Sequence, residues 1–413
     1  MHKLNRLNHS GFIARRLTVG RSKSVTGPVI RVSTFSIALS ISVMLIAFAI
    51  VRGFQHEVRE KLVGFGAHIQ IRPFDTNQSI EQNPIAANRD DINSLSQIDN
   101  IKSISPFIEK GGLIKTDSNL HGIVMKGVNN DFDFSFLNKN LVEGRLPYFT
   151  DTISNDVLIS QRVASMLDLH VGSPLRVYFM IKDEIQPRGR KFSVCGIYNS
   201  GMSEFDNIYA LCDIRHLQKL NRWGDSLVSG YEIMISDFDK LGEVLTDVNN
   251  TIDYDLEALD IVTRQAQFFD WLSLLDSNVY IILVLMTIVA IINIISIILI
   301  LILERIPLIG LFKALGANNR MIREIFVRVS ARLLFRGVLF GNLFGLGLIF
   351  LQHFTSVFPL NQEMYYLDHI PVLVQLDYIL FVNLGVFSVS MLAVMIPAII
   401  IRHINPSLAL QHK

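Results

Sequence analysis

Residues 304–328, ERIPLIGLFKALGANNRMIREIFVR, carry the densest set of functional signals in the chain. Glu304 and Arg305 end a long apolar run abruptly, and Pro307 adds a break that a straight helix would avoid. Leu308, Ile309, Leu311, Phe312 and Leu315 then recur at helical spacing, with Gly316 set to end the turn and Asn318 to cap the next helix. This predicts a short amphipathic helix just outside a bilayer, suited to contact rather than bond-making; a plain connector between two spans has the same outline. Other chemistry is missing. No G-x-x-x-x-G-K-[ST] loop, metal-spaced His or Cys cluster, nucleophile elbow or intramembrane acid occurs. That argues against an enzyme and against a secondary transporter.

The elements that must position this helix are four apolar runs long enough to span a bilayer: 29–51, 278–303, 333–351 and 376–401. An even number puts both termini on one side. Half of the 413 residues are apolar and the net charge is only +1, yet the charge is unevenly placed. Lys3, Arg6, Arg15, Arg16, Arg21 and Lys23 precede the first run and Arg31 lies at its start; Arg305, Lys313, Arg320, Arg323, Arg328, Arg332 and Arg336 follow the second; 352–375 holds no Lys or Arg. By the positive-inside rule both tails and the 304 loop are cytoplasmic, and 52–277 lies on the far side. The first span lacks a small-x-small cleavage site and is expected to stay as an anchor. Before it, Leu4, Leu7, Phe12, Ile13 and Leu17 could form the apolar side of a helix in the headgroup layer.

Beyond the first span, Phe54, Val58, Leu62 and Phe65 recur at helical spacing opposite Gln55, Glu57, Arg59 and Glu60, predicting a stem. A water-soluble α+β pattern follows over 68–257. Short strands HIQIR, IKSISPFI, GGLIKT and GIVMKGV come first, and SGYEIMISD with a helix at 240–248 comes last. The block between them, about 135–225, has a helix at 161–169, strand LRVYFMI, a polar tip and strand KFSVCGIY, as if one domain were inserted into another. Cys195 and Cys212 both fall here, as two buried thiols or as a disulfide. A second stem is expected at 262–275, with Phe268, Phe269 and Trp271. In the spans, Asn293 reads as interhelical glue, Gly337, Gly341, Gly345 and Gly347 as a small-residue ladder, and Pro397 as a kink.

The segment IGLFKALGA after the Glu304–Arg305 pair resembles the coupling segment of FtsX-like permeases of Lol-type and MacB-type ABC systems. The first stem, with Gly53-Phe54-Gln55, Glu57-Val58, Lys61-Leu62 and Gly64, is similar to that of the lipoprotein-releasing (Lol) permeases, and 404–410 to the closing I-x-P-x-x-A-L. The resemblance implies an α-helical membrane protein with four transmembrane helices and a large extracytoplasmic α+β domain, porter-like and split by a β-rich insertion. It divides the chain into a cytoplasmic amphipathic segment (1–28), first span (29–52), periplasmic domain with helical stems (53–276), second span (277–303), coupling loop (304–332), third span (333–352), short periplasmic loop (353–375), fourth span (376–401) and tail (402–413).

The implied role is the non-catalytic permease subunit of an inner-membrane transporter that releases lipoproteins. Its cofactor, ATP with Mg, would sit on a separate cytoplasmic ATPase dimer. Glu304, Arg305, Leu308, Gly310, Leu311, Phe312, Lys313, Leu315 and Gly316 would form the ATPase-coupling surface, with Leu311, Phe312 and Leu315 in a groove of the ATPase and Lys313 at its rim. Met44, Phe48, Phe54 and Met286 would line the substrate cleft. In these relatives a hook between two strands recruits a soluble lipoprotein carrier; Gln186, Pro187, Arg188, Gly189 and Arg190 occupy the comparable place, where a plain polar hairpin is the other reading. A second permease chain, identical or homologous, membrane lipids and a lipoprotein cargo complete the expected partners, with no nucleic acid. Two alternatives are a permease that signals to a periplasmic partner such as a cell-wall hydrolase, and MacB-like efflux, which would normally carry a fused ATPase. The topology is checked by cysteine labelling: probes at Ser118 and Asn318 are expected to react from opposite sides of the membrane, and reaction from one side overturns four spans.

Overall fold

A computed structural model of the chain describes residues 26–74, 81, 83–115, 120–181 and 184–400. The basic N-terminal segment, the Ser118 turn and the 404–410 tail motif lie outside the described residues. Two compact units are present. A helical unit comprises the described residues up to Gln55, Leu272–Pro359 and those from His369 on; an α/β unit comprises His56–Trp271 and Leu360–Asp368. The boundary falls inside the first helix, α1 (Thr26–Gly66).

Among the described residues the α/β unit holds twelve strands: β1 (Ile69–Pro73), β2 (Ile85–Ala86), β3 (Ile101–Lys115), β4 (Leu120–Val128), β5 (Leu141–Gly144), β6 (Asp156–Ser160), β7 (Pro174–Phe179), β8 (Arg188–Tyr198), β9 (Tyr209–Asp213), β10 (Leu227–Val228), β11 (Gly230–Ile235) and β12 (Leu256–Asp260). Ten form one sheet in the order β12-β1-β11-β3-β4-β9-β6-β8-β5, while β7 pairs with both β3 and β8. The ring β3-β4-β9-β6-β8-β7 therefore closes on itself, which removes exposed edges. The inserted block is thus fused to its host through β3. The first part of β3 pairs with β11, and the rest pairs with β4 and β7.

The two strands expected at 101–108 and 111–116 are this single strand. Gly112 does not mark a turn: a Cβ there would come within 2.7 Å of Val177 Cγ1, so glycine is what lets β7 approach. Short helices pack outside the ring. α2 (Gln161–Leu167) is capped by Ser160 and ended by Asp168 at φ 52°; α3 (Ile214–Asn221) is capped by Asp213 and turns Ile214 and Leu217 inward. α4 (Leu241–Thr251) covers β12, and α5 (Ile261–Arg264) starts at the Asp260 cap. The first stem buries Val58, Leu62 and Phe65 as expected. Residues 360–368 belong to the same unit. Lys61 Nζ donates to the Tyr366 carbonyl at 2.7 Å, the Tyr366 hydroxyl to Glu204 at 3.0 Å, and the Tyr366 and Phe268 rings lie 5.7 Å apart.

Among the described residues four helices are long and apolar enough to cross a membrane: Ile30–Gly66 within α1, α6 (Ala266–Glu304), α8 (Asn319–Thr355) and a fourth over Leu376–Pro397. Between α6 and α8 lies α7 (Ile306–Ala314). The fourth comprises α9 (Leu376–Ala393) and α10 (Met395–Ile400), broken at Val394. Pro397 explains the break, since its ring crowds the carbonyl four residues earlier, that of Ala393. Three of the helices run well past the apolar windows, because good helix formers continue after the last apolar residue. The second stem is not one helix over 262–275: α5 ends and α6 begins around Gln265. Gln55, expected on the stem's polar side, is buried because its amide donates to the Leu272 carbonyl at 3.0 Å.

The helices meet in one core of Ile37, Ile41 and Met44 on α1, Ala290, Ile294 and Ile298 on α6, Ile309 on α7, Ile322 and Phe326 on α8, and Val382 and Val386 on α9. Their outward faces stay apolar, with Ile281, Leu343 and Leu384 more than half exposed, as a lipid-facing surface requires. Gly337, Gly341 and Gly345 of α8 lie against Ile37, Ala38, Ile41 and Ser42 of α1. Gly347 faces open space and is not part of the ladder. Ser42 Oγ bonds the Gly341 carbonyl at 2.8 Å, and Asn293 Nδ2 donates to Ser36 Oγ. Asn342 and Asn383 exchange reciprocal amide bonds of 2.8 and 2.9 Å between α8 and α9. A Cβ at position 341 would meet the Ala38 carbonyl oxygen at 2.8 Å. Gly341→Ala is therefore expected to lower stability by about 1–3 kcal/mol in thermal unfolding of the detergent-solubilised chain. Gly347→Ala should leave it unchanged or raised by up to about 1 kcal/mol.

Candidate functional site

The loop from Glu304 to Asn318 folds as its residues demand. Arg305 breaks the helix after Glu304, the last residue of α6, and Pro307 falls in the first turn of α7, where its missing N–H costs nothing. At the far end Gly316 adopts φ 87°; its N–H bonds the Lys313 carbonyl at 3.0 Å, and that of Ala317 bonds Phe312 at 2.9 Å. This is a Schellman closure. Asn318 holds the cap position of α8 with an extended backbone but makes no side-chain cap bond; its carbonyl accepts from Met321 at 2.9 Å instead.

One face of α7 is spent on the core and one is not. Ile309 and Gly310 are buried, and Leu308, Phe312, Lys313 and Arg305 are half-buried. Phe312 packs against the helix core, which corrects its expected place beside Leu311 and Leu315 as an outward anchor. Leu311 is 46% exposed and Leu315 76% exposed, with Pro307, Ala314 and Gly316 open beside them. Exposed Arg320 and Arg323 at the start of α8 add positive charge to an apolar centre. Glu324 holds Arg320 at 3.7 Å and Arg328 at 3.8 Å. The surface has the anatomy of a docking face, apolar in the middle and charged at the rim.

A second feature is an open cleft of about 550 Å³ among α1, α6 and α9, with apolar walls from Phe48, Val51, Val279, Tyr280, Ile281, Leu283 and Phe381. Arg52 and Asp276 border it, 3.7 Å apart. The Arg52 guanidinium is held 5.5 Å over Phe48 and 5.2 Å over Tyr378, and also bonds Gln55 at 3.2 Å. Of the four residues expected to line such a cleft, only Phe48 does. Met44 is fully buried in the helix core, Met286 packs half-buried against it, and Phe54 is buried. On helices apolar all round, side-chain type does not reveal the facing direction, so Val51, Arg52, Tyr280 and Phe381 were missed. The one signal for them was a cation ending the first apolar run.

The hairpin reading also changes. Arg188, Gly189 and Arg190 are not a loop: they pair with Phe179, Tyr178 and Val177 across β7–β8. Arg188 is bound by Glu184, which also takes Arg222 at 2.7 Å. Of the five, Gln186 and Pro187 stand at the tip among the described residues, beside the 97% exposed Ile185. Both cysteines are buried free thiols. Strand β6 runs between their strands β8 and β9, so about two strand spacings separate them, too far for a disulfide. Burial pushes the Cys195 thiol up to about 12 and Cys212 higher still, which removes thiolate chemistry.

This geometry agrees with what the chain is similar to. A family model described as MacB-like periplasmic core domain matches residues 32–250, and one described as FtsX-like permease C-terminal matches 280–406. The first covers more than half of the chain, which therefore belongs to the FtsX-like permeases that carry a MacB-like periplasmic core. Among individual proteins it is similar to the lipoprotein-releasing system transmembrane protein LolC of Xylella fastidiosa, 22% identical over 396 residues, 92% of this chain and 93% of that one. LolE of Haemophilus influenzae is 23% identical over 409 residues, 95% of this chain and 96% of its own. Among solved structures, the periplasmic region of MacB from Actinobacillus actinomycetemcomitans covers 51% of this chain and 96% of itself, at 16% identity and a TM-score of 0.34.

The two faces of α7 make different demands on stability. Leu311→Asp and Leu315→Asp are expected to shift unfolding of the detergent-solubilised chain by no more than about 0.5 kcal/mol, whereas Ile309→Asp should cost about 3 kcal/mol or more. Equal losses in a thermal melt would show that the outward face is already occupied.

Proposed function

We propose that this chain is the transmembrane subunit of an ABC system that draws lipoproteins out of the inner membrane. The observation that carries this is the cleft at Phe48 and Tyr280: apolar walls fit for acyl chains, bordered by the Arg52–Asp276 pair that suits a polar head. Each methylene drawn from lipid into water costs about 0.8 kcal/mol, so an acyl chain costs on the order of 10 kcal/mol unless an apolar surface receives it. End-to-end similarity to proteins named for lipoprotein release supports the same reading.

The energy comes from a separate ATPase dimer that holds ATP and Mg in the cytoplasm, with both termini of this chain on that side. Closure of that dimer presses on α7 through Leu311 and Leu315, with Lys313, Arg320 and Arg323 at the rim. Ile309 and Phe312 pass the displacement into the core they share with Ile41, Met44 and Ala290, and α1 and α6 shift around the cleft. Met44 thus transmits movement where the sequence suggested it touched cargo. A second permease chain completes the cavity, and the tip at Ile185, Gln186 and Pro187 is the place for a soluble carrier.

The test is reconstitution of the chain and its ATPase in liposomes, with one protein supplied in acylated and unacylated forms and a soluble carrier outside. ATP should transfer only the acylated form, and the Leu311→Asp, Leu315→Asp double variant should lose both transfer and co-purification of the ATPase. Hydrolysis indifferent to acylation, with nothing leaving the membrane, would replace release with force transmission to an outer partner.

A further inference from the structure

The α/β unit holds a cavity of about 280 Å³ where the end of α1 meets β1, β3, β4, β9 and α5, lined among others by Phe65, Arg72, Glu109, Lys126, Tyr209 and Arg264. Its charged groups only partly neutralise one another. Lys126 Nζ, almost wholly buried, donates to Glu232 Oε1 at 2.7 Å and to the Phe65 carbonyl at 2.9 Å; Gln70 Nε2 shares the same Glu232 oxygen at 2.7 Å. Arg72 reaches Gln70 at 3.0 Å and Glu109 at 3.3 Å. Arg264 spends Nη2 on the carbonyls of Gly66 and Ala67, while its Nε is buried with no hydrogen-bond partner.

Among the described residues Arg72, Lys126 and Arg264 face two carboxylates, Glu109 and Glu232. A buried cation without a counter-charge is costly, and burial pushes the Arg264 guanidinium down to about 10, against the pull of Glu232. Burial also pushes the Tyr209 phenol up, so its hydroxyl stays protonated and able to donate. One wall is aromatic: the Phe65 ring is stacked on Phe205 at 4.7 Å and meets Tyr209 edge-on at 5.1 Å. Positive excess, an unspent N–H donor and an apolar wall together describe a site for an organic anion.

We propose that this cavity binds one small oxyanion, a carboxylate or a phosphate, whose charged end bonds Arg264 Nε and the Tyr209 hydroxyl and whose body lies on Phe65. The site is separate from the membrane cleft and does not depend on the transport reading. Bound there, an anion would tie the last turn of α1 to β4, β9 and α5.

The experiment is calorimetric titration of the full chain in detergent with benzoate and, separately, with inorganic phosphate, at ionic strength held constant with sodium chloride. Saturation at one equivalent by either probe is expected, and the probe that saturates identifies carboxylate or phosphate as the class. Arg264→Gln should weaken that binding about tenfold or more, as loss of a charged hydrogen bond does, and Tyr209→Phe about fivefold. Should Arg264→Gln not fold, Tyr209→Phe decides, since it keeps the ring. Absence of saturation by both probes, or binding unaltered in the folded variants, overturns the site.

Discussion

The helical unit depends on how closely α1 and α8 approach. Inside lipid there is no hydrophobic gain from bringing apolar helices together, so close packing and hydrogen bonds must supply the association. Gly337, Gly341 and Gly345 provide it by presenting bare backbone to Ile37, Ala38, Ile41 and Ser42. That contact admits the Ser42 bond to the Gly341 carbonyl. The Asn293–Ser36 and Asn342–Asn383 bonds add about 0.6 kcal/mol each, and they also fix register, because an amide one turn out of place would sit unpaired in hydrocarbon. With these helices locked, Ile309 and Phe312 find a formed core to rest on, and Leu311 and Leu315 are left facing outward.

The α/β unit is organised by the opposite economy. Its closed strand ring leaves little edge to protect, yet charge is kept inside, with Lys126 and Glu232 almost wholly buried. Such a pair contributes little net stability over an apolar substitute, because desolvation offsets most of the attraction. What it does provide is placement. Lys126 ties β4 to β11 through Glu232 and to the end of α1 through Phe65, so three elements distant in sequence share one position.

Much of this was legible in the residues. The spans were, because long apolar runs have few other uses, and so were the three working glycines, Asn293 as glue and strands β1, β4, β7, β8 and β11 of the α/β unit, whereas β3 was read as two strands and β5, β6 and β12 were not marked. Helix ends were less so: α6 begins at Ala266 and α8 at Asn319 because polar helix formers continue where lipid-like residues stop. The cleft was the poorest case. Met44 and Phe48 are similar in character and one turn apart, and only packing on the far side sends one into the core and the other to the opening. Arg188 and Arg190 looked like a loop because Pro187 and Gly189 are turn-formers, yet pairing with β7 overrides that preference. Asn342 and Asn383 are individually unremarkable, and their meaning exists only as a pair.

Residues 360–368 give the chain a schedule. The α/β unit is not complete at Trp271: Tyr366, which occupies Lys61 and Glu204, leaves the ribosome roughly ninety residues later, after α6, α7 and α8. At about 5–20 residues per second that is a delay of roughly 5–20 s, during which the α/β unit exists without its last segment. Its final closure therefore waits on synthesis of the third apolar helix, so a chain that stalls there leaves the α/β unit unfinished and open to proteolysis.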